Sequence, residues 1–303
     1  MTGNSRPSCL IVGGDSRLSQ TLKPLLHSAG WDVTSTTRRT TPADGDVFLS
    51  FDDIEAFEIP QHITHAAIVG GVVDYKICDN QYDYAHTINC KNIPALAGRL
   101  LEAGAFVCYL STNTVFTPAA APAREYDIHN PAFNYAALKS KSEHQVLTEA
   151  LRSGLNHQLA ILRLTKNVGA TTLPFDTWIT ALSTGTGITA FDDLFFAPVL
   201  FSHSATAILR ILADDISGMF HMSGEHDLNY ADFAAGLIDF LKLPAHLLTR
   251  TSSTAAGVKL NYAHPITALN MDLTTARLGI KPSAPAEIYA YLAGLLPKKN
   301  SAP

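Results

Sequence analysis

Two side chains of the stretch Asn134-Tyr135-Ala136-Ala137-Leu138-Lys139 have the types and spacing of an acid–base pair. Tyr135 and Lys139 stand at i and i+4, which puts them one turn apart on one face of a helix. An ammonium beside a phenol favours the phenolate, so the expectation is that Lys139 lowers the pKa of Tyr135. A phenol tuned in this way exchanges a proton with an alcohol or ketone near neutral pH. Earlier in the chain an apolar run closes in Ser111-Thr112, and a hydroxyl there could hold the substrate oxygen at the same time. Tyr-x-x-x-Lys is short enough to arise by chance on a surface helix, so the weight falls on the elements around it.

The chain has 303 residues, 47% hydrophobic and 16% charged, with a net charge of −5. That length suits one domain or two closely joined ones around a large core. The acidic balance and the lack of a basic run argue against nucleic-acid binding. Cys9, Cys78, Cys90 and Cys108 have no Cys-x-x-Cys spacing, which reads as buried thiols rather than disulfides or a zinc site. The twelve histidines show no metal-ligand spacing on one helix, and no metal is expected. The run Cys9 to Val12 is far too short for a signal-peptide core or a membrane span. The expectation is a cytoplasmic protein without a membrane partner.

Short apolar runs alternate with helical patterns through the first half. Strands are predicted at residues 9–13, 31–36, 46–51, 64–71, 105–111 and 157–164. Helices are predicted at 18–29, with Leu18, Leu22, Leu25 and Leu26 on one face and Gly30 as its close, at 84–103, ended by Gly104, and at 135–152, ended by Gly154. Runs apolar on both faces with helices between them imply a parallel sheet covered on both sides. Beyond about residue 165 the rhythm changes. A loop at 171–174, a helix at 175–183, a strand from 185 and a helix capped by Asn229 with Asp232 at N3 suggest a smaller mixed lobe over the sheet's carboxyl edge, where such sheets bind ligands. Residues 298–303 read as a frayed tail. Trp178 reads as core, Asp192-Asp193 as a turn beside a strand, and His62 and His65 as structural. Lys166 and Asn167 read either as a solvated loop or as contacts to a substrate's diphosphate or hydroxyls.

The first strand runs into Gly13-Gly14-Asp15-Ser16-Arg17-Leu18-Ser19. A strand, a glycine turn and a helix at this point form a dinucleotide cradle, since glycine lets the backbone approach a pyrophosphate and the helix N-terminus offers free N–H groups. Ser16 and Ser19 stand where the pattern's second and third glycines belong. After the second strand the chain has Arg38-Arg39 instead of the acidic residue that would bind the ribose hydroxyls of NAD. Two guanidiniums suit a 2′-phosphate, which favours NADP(H) and leaves NAD(H) open. Gly70-Gly71, after the fourth strand, would let the backbone pass close to the cofactor.

With these residues the chain resembles the extended branch of the short-chain dehydrogenase/reductase superfamily, and within it the dTDP-4-dehydrorhamnose reductase-like, sugar-nucleotide-binding group. The likeness runs through the Gly13 turn, Leu110-Ser-Thr-Asn-Thr-Val-Phe, Pro131-x-x-x-Tyr135-x-x-x-Lys139 with Glu143, Ile161-Leu-Arg-Leu-Thr, Phe220-His-Met-Ser-Gly, Tyr230-Ala-Asp-Phe and Leu278-Gly-Ile-Lys-Pro. It implies an α/β fold: a Rossmann-type doubly wound parallel sheet, here given residues 1–164, with a smaller C-terminal substrate-binding lobe from 165–303 whose segments interleave with the first. It implies Thr112 as the hydroxyl on the reacting oxygen, with Ser111 as the second choice, Tyr135 as the proton donor, and Lys139 on the nicotinamide ribose. The cofactor set so assembled is Gly13, Asp15, Ser16, Arg17, Leu18, Arg38, Arg39, Ser50, Gly70, Gly71, Ser111, Tyr135, Lys139 and Leu164. The implied activity is an NADP(H)-preferring reduction of a keto group on a nucleotide-linked sugar, with a homodimer as one candidate assembly. Two other readings stay open: an NAD-dependent sugar-nucleotide epimerase or dehydratase, and a non-catalytic binding or regulatory protein on the same fold. The chain departs from the family pattern at Ser16, at Ser19, at Ala136 after the tyrosine, and in Phe201-Ser-His-Ser-Ala, which lacks an aspartate.

Overall fold

A computed structural model describes residues 6–116, 122–258 and 265–296; the tail expected at 298–303 lies outside them. Strands β1 (Ser8–Val12), β2 (Asp32–Thr37), β3 (Asp46–Phe48), β4 (His65–Ile68), β5 (Phe106–Thr112) and β6 (Leu159–Leu164) are joined by a seventh, Gly218–Met222. They form one sheet in the order seventh strand, β6, β5, β4, β1, β2, β3, and every pairing is parallel. The order reverses between β1 and β4, where an open parallel sheet leaves a crevice at its carboxyl ends.

Period-two alternation gives each face its own core. From β1, Cys9 and Ile11 face Leu22 and Leu26 of helix α1 (Arg17–Ser28) and Ile208 and Ile211 of the helix Phe201–Ala213. Leu10 and Val12 face the opposite core, built with Leu96 and Leu100 from the helix Ile93–Glu102 and Val146 from the helix Asn134–Arg152. All five residues of β1 are buried, which explains a strand written as an unbroken apolar run. The four thiols are buried and free, and burial pushes the Cys9 thiol up to about 12. Among the described residues no cluster of His, Cys, Asp or Glu could hold a metal, and no helix is long and apolar enough to cross a membrane.

The smaller lobe has a third core of Phe175, Trp178, Phe196, Phe233, Leu237 and Ile288. Its helices are Phe175–Ser183, Tyr230–Phe240 and Pro285–Ala293. Asn229 caps the second of these by accepting from Asp232 N at 2.7 Å, as its sequence position implies. Asp193 turns the chain by accepting from Ser253 N and Oγ. The single helix expected at 84–103 is divided. A helix Tyr82–Thr87 passes through a π-helical turn, Ile88–Asn92, into Ile93–Glu102, and a separate short helix Tyr75–Asn80 precedes them. Pro94 supplies no N–H to a preceding turn, which is tolerated only at the start of a helical segment.

Candidate active site

The turn after β1 is fixed by short contacts that admit no side chain. Gly13 has φ +93°, and a Cβ there would lie 2.6 Å from Gly70 Cα. A Cβ on Gly14 would meet the Ser35 hydroxyl at 2.5 Å. Gly14 N donates to Thr36 O at 2.8 Å, and Gly13 N donates to Thr36 Oγ1 at 2.9 Å, so the turn is sewn to β2. The two serines at glycine places bond to each other. Ser16 Oγ accepts from Ser19 N at 3.1 Å and donates to Ser19 Oγ at 2.8 Å, and Ser19 Oγ donates to Gly13 O at 2.9 Å. Ser19 is fully buried, so a hydroxyl fits in this close helix–strand contact because it replaces lost van der Waals space with a hydrogen bond. The N–H groups of Arg17 and Leu18, first in the helix, have no intrahelical acceptor.

A groove of about 550 Å³ opens at this turn. Gly13, Asp15, Ser16, Arg38, Ser50, Gly70 and Gly71 from the expected cofactor set line it, together with Thr36, Thr37, Phe48, Phe51, Val72, Val73 and Tyr84. The arginine pair divides. Arg38 lines the groove, whereas the Arg39 guanidinium lies 3.7 Å from Asp15, whose carboxylate also accepts from Thr37 Oγ1 at 2.8 Å. The side chain of Leu18 goes to the core under β1.

The reacting end lies next along the sheet edge, in a second cavity of about 490 Å³. Neighbouring residues pass from one cavity to the other: Ser16 lines the first and Arg17 the second, Asp74 the first and Tyr75 the second. Thr112 ends β5, its hydroxyl accepting from Thr114 N at 3.2 Å. Tyr135 enters from the first turn of the helix Asn134–Arg152 and is 9% exposed. Thr112, Tyr135 and Leu164 share the cavity lining, the Thr112 hydroxyl bonds within its own turn to Asn113 and Thr114, and its proximity favours the ionised form of the Tyr135 phenol. Ser111 Oγ is buried without a hydrogen-bond partner among the described residues.

The electrostatics of the pair differ from the expectation. Lys139 Nζ donates to Tyr109 Oη at 2.6 Å and to Leu110 O at 2.8 Å. The Tyr135 phenol is raised well above its ordinary range, by desolvation first and by the Tyr75 phenol next, with the Thr112 hydroxyl opposing them. Lys139 is pushed down to about 8 by burial, which the Glu143 carboxylate partly offsets. The i,i+4 spacing puts both side chains on one face, but the lysine chain extends past the phenol to the strand beneath, and desolvation governs both groups.

Two aromatic residues of the site were not given a role from the sequence. Tyr75 packs at a tilt against Tyr135 with ring centroids 5.0 Å apart, and Tyr230 lines the cavity and stacks on Phe196 at 4.3 Å. Tyr75 is not marked in the sequence at all, and Tyr230 is marked only as part of the stretch Tyr230-Ala-Asp-Phe; only the fold brings both to the cavity. Arg17 and Lys166 both line the cavity, and although Lys166 is exposed overall, partial desolvation of its amine first and the Arg17 charge second push it down. Thus Lys166 and Asn167 border the cavity. Among the described residues, none that lines this cavity is an aspartate or glutamate.

Residues 8–282 match the protein family described as the RmlD substrate binding domain. The chain belongs to that family. A curated relative, methionine adenosyltransferase 2 subunit beta from Bos taurus, is 28% identical over 197 residues, covering 60% of this chain and 56% of the relative. The chain thus spans little more than half the length of the curated relatives it matches. Among solved structures, the dTDP-4-dehydrorhamnose reductase of Yersinia enterocolitica superposes with a TM-score of 0.79 at 19% identity, covering 96% of this chain and all of that one (100%). The corresponding reductase from Bacillus anthracis, in complex with NADP, gives 0.74 at 16% identity over 94% and 96% of the two chains. These likenesses show the shared Rossmann-type fold.

In this RmlD-family chain a buried ion pair underlies the site. Arg163 of β6 is 1% exposed and donates to Glu143 at 2.8 Å, to Glu125 O at 2.7 Å and to His129 Nε2 at 2.9 Å. Glu125 and His129, from the stretch that leads to Tyr135, are thereby tied to β6. His221, also against Arg163, is pushed down to about 3 by burial and by that guanidinium.

Proposed function

We propose that this chain is a nicotinamide-dinucleotide-dependent reductase, preferring NADP(H), that acts on a keto group of a nucleotide-linked sugar. One observation carries the reading: Thr112 and Tyr135 together line a cavity that adjoins a glycine-walled groove at the sheet's switch point. When bound, the dinucleotide supplies the hydride. The rest is assigned to the chain. The tight Gly13–Gly70 contact and the free N–H groups of the Arg17 turn suit a pyrophosphate. Arg38 suits a 2′-phosphate. The ammonium of Lys139 has a third N–H for a ribose hydroxyl. Thr112 orients the substrate oxygen, and Tyr135 protonates it. A phenol held protonated by burial suits an acid better than a base. Arg17 and Lys166, in a lining without carboxylates, suit the diphosphate of a nucleotide-linked substrate. Calorimetric titration with NADPH and NADH, followed by a screen of nucleotide-linked keto sugars for loss of the reduced dinucleotide's absorbance, tests the reading. Failure of both dinucleotides to bind at sub-millimolar concentration would overturn it.

A second reading is a non-catalytic binding or regulatory subunit on this fold. The curated relatives bear the name of a subunit, and Ser16 and Ser19 replace two glycines of the turn. Under this reading the chain binds a dinucleotide or a sugar nucleotide without turnover and coelutes with a catalytic methionine adenosyltransferase chain on size-exclusion chromatography.

A further inference from the structure

We infer that Tyr109, inside the apolar fifth strand, is the positioning residue for Lys139. The inference rests on the role given to Lys139 above. Tyr109 is 1% exposed, and its ring lies under the ammonium with Nζ 4.3 Å from the centroid. Its hydroxyl has its own proton committed elsewhere: Tyr109 Oη donates to Ser142 Oγ at 2.8 Å, and Ser142 Oγ donates to Asn89 O at 2.5 Å. The Tyr109 lone pairs therefore face Lys139. A hydrogen bond to a buried cation is among the strong ones, because it replaces the water that burial removed.

The chain of bonds ends at the dinucleotide groove. Asn89 sits in the π-helical turn Ile88–Asn92, a feature found often at functional sites. Its side-chain amide brackets Val72, accepting from Val72 N and donating to Val72 O, both at 2.9 Å. Val72 lines the groove beside Gly70 and Gly71. The ammonium, the fifth strand and the groove wall are thus registered to one another by Tyr109, Ser142 and Asn89, which line neither cavity.

The test uses the full chain labelled with ¹³C at lysine Cε, the Lys139 resonance being assigned by its loss in Lys139→Met. Tyr109→Phe keeps the ring and removes the acceptor. The titration midpoint of Lys139 should fall by about one pH unit, since a lost hydrogen bond to the charged form disfavours that form. Ser142→Ala, which frees the Tyr109 proton, should move it the same way by less. An unchanged midpoint in Tyr109→Phe overturns the inference, and if that variant does not fold, an unchanged midpoint in Ser142→Ala does so. In turnover assays the alkaline limb of the pH profile should shift down in step with the resonance. A wild-type chain without turnover sinks the proposed function and leaves the resonance measurement to decide Tyr109, whereas an active chain whose Lys139 titration ignores Tyr109 sinks this inference alone.

Discussion

Gly13 and Gly70 meet backbone to backbone: the loop after β1 and the loop after β4 leave no room for a methyl group between them. Gly30 also has a positive φ, +84°, but a Cβ there would meet nothing. Gly13→Ala should therefore cost more than Gly30→Ala. Each bears about 1–2 kcal/mol of left-handed backbone strain, and only Gly13→Ala adds the steric clash and narrows the groove. Urea unfolding measures the first effect and dinucleotide titration the second. Equal losses in the two variants would show that the contact does not matter.

Tyr135→Phe should lower turnover by about a hundredfold or more, the usual scale for removing a general acid, and leave dinucleotide affinity within about a factor of two. Thr112→Val should do the same to a lesser degree, since it removes an orienting hydroxyl and no proton. Steady-state kinetics with calorimetry separates the two quantities. A Tyr135→Phe variant as active as the wild type removes the phenol from the mechanism.

Lys139 gives a stability signature with an unusual sign. Its folded-state pKa, about 8, lies below the ordinary 10.5. Between these values the unfolded chain binds more protons, so this group's contribution to stability rises with pH across that window. Below about pH 8 both states are charged and the folded state bears the full desolvation cost. Lys139→Met should stabilise the chain below pH 8, by on the order of 1–3 kcal/mol, and the gain should fade towards pH 10.5. Thermal melts across pH check this; a gain that grows with pH contradicts it.

Arg38 lines the groove and Arg39 pairs with Asp15. Arg38→Ala should weaken NADPH about tenfold or more, the value of a charge-assisted hydrogen bond, and leave NADH nearly unchanged. Arg39→Ala should change the ratio less. Dissociation constants for both dinucleotides decide it, and the reverse ranking would assign the 2′-phosphate to Arg39.

Glu143 and Arg163 are both nearly inaccessible, whereas Arg210 and Asp214 form an exposed pair. Glu143→Ala leaves a guanidinium buried without its carboxylate and should cost on the order of 3–5 kcal/mol. Asp214→Ala should cost about 1 kcal/mol or less. Chemical denaturation of the two variants gives the comparison, and similar values would mean water reaches Arg163.

Six strands of the sheet were legible because five are short apolar runs bounded by polar or glycine residues and β2 is a run rich in β-branched residues, and Leu18, Leu22 and Leu26 marked α1 by their spacing. The seventh strand was not. Gly218-Met-Phe-His-Met carries a histidine that burial tolerates only because Arg163 and Asn270 O bond to it, and partners so distant cannot be read locally. Thr112 and Tyr135 were legible as a hydroxyl and a phenol at spaced motifs. Tyr109 was not, because an aromatic in an apolar strand reads as core filling until a buried ammonium is found on it. The direction of the Tyr135 shift was misread for the same reason: spacing reports which face a side chain occupies, not how deeply that face is covered.

The strand that covers the open edge of β6 is made last among those of the sheet, well after a complete groove's worth of chain has left the ribosome. A nascent chain ending near residue 200 would present the hydrogen-bonding groups of Leu159–Leu164 to solvent or to another chain, with Arg163 lacking its His221 neighbour. Synthesis halted or cleaved in that interval leaves an adhesive product rather than a working half-molecule, and a pause in translation there would be punished by aggregation.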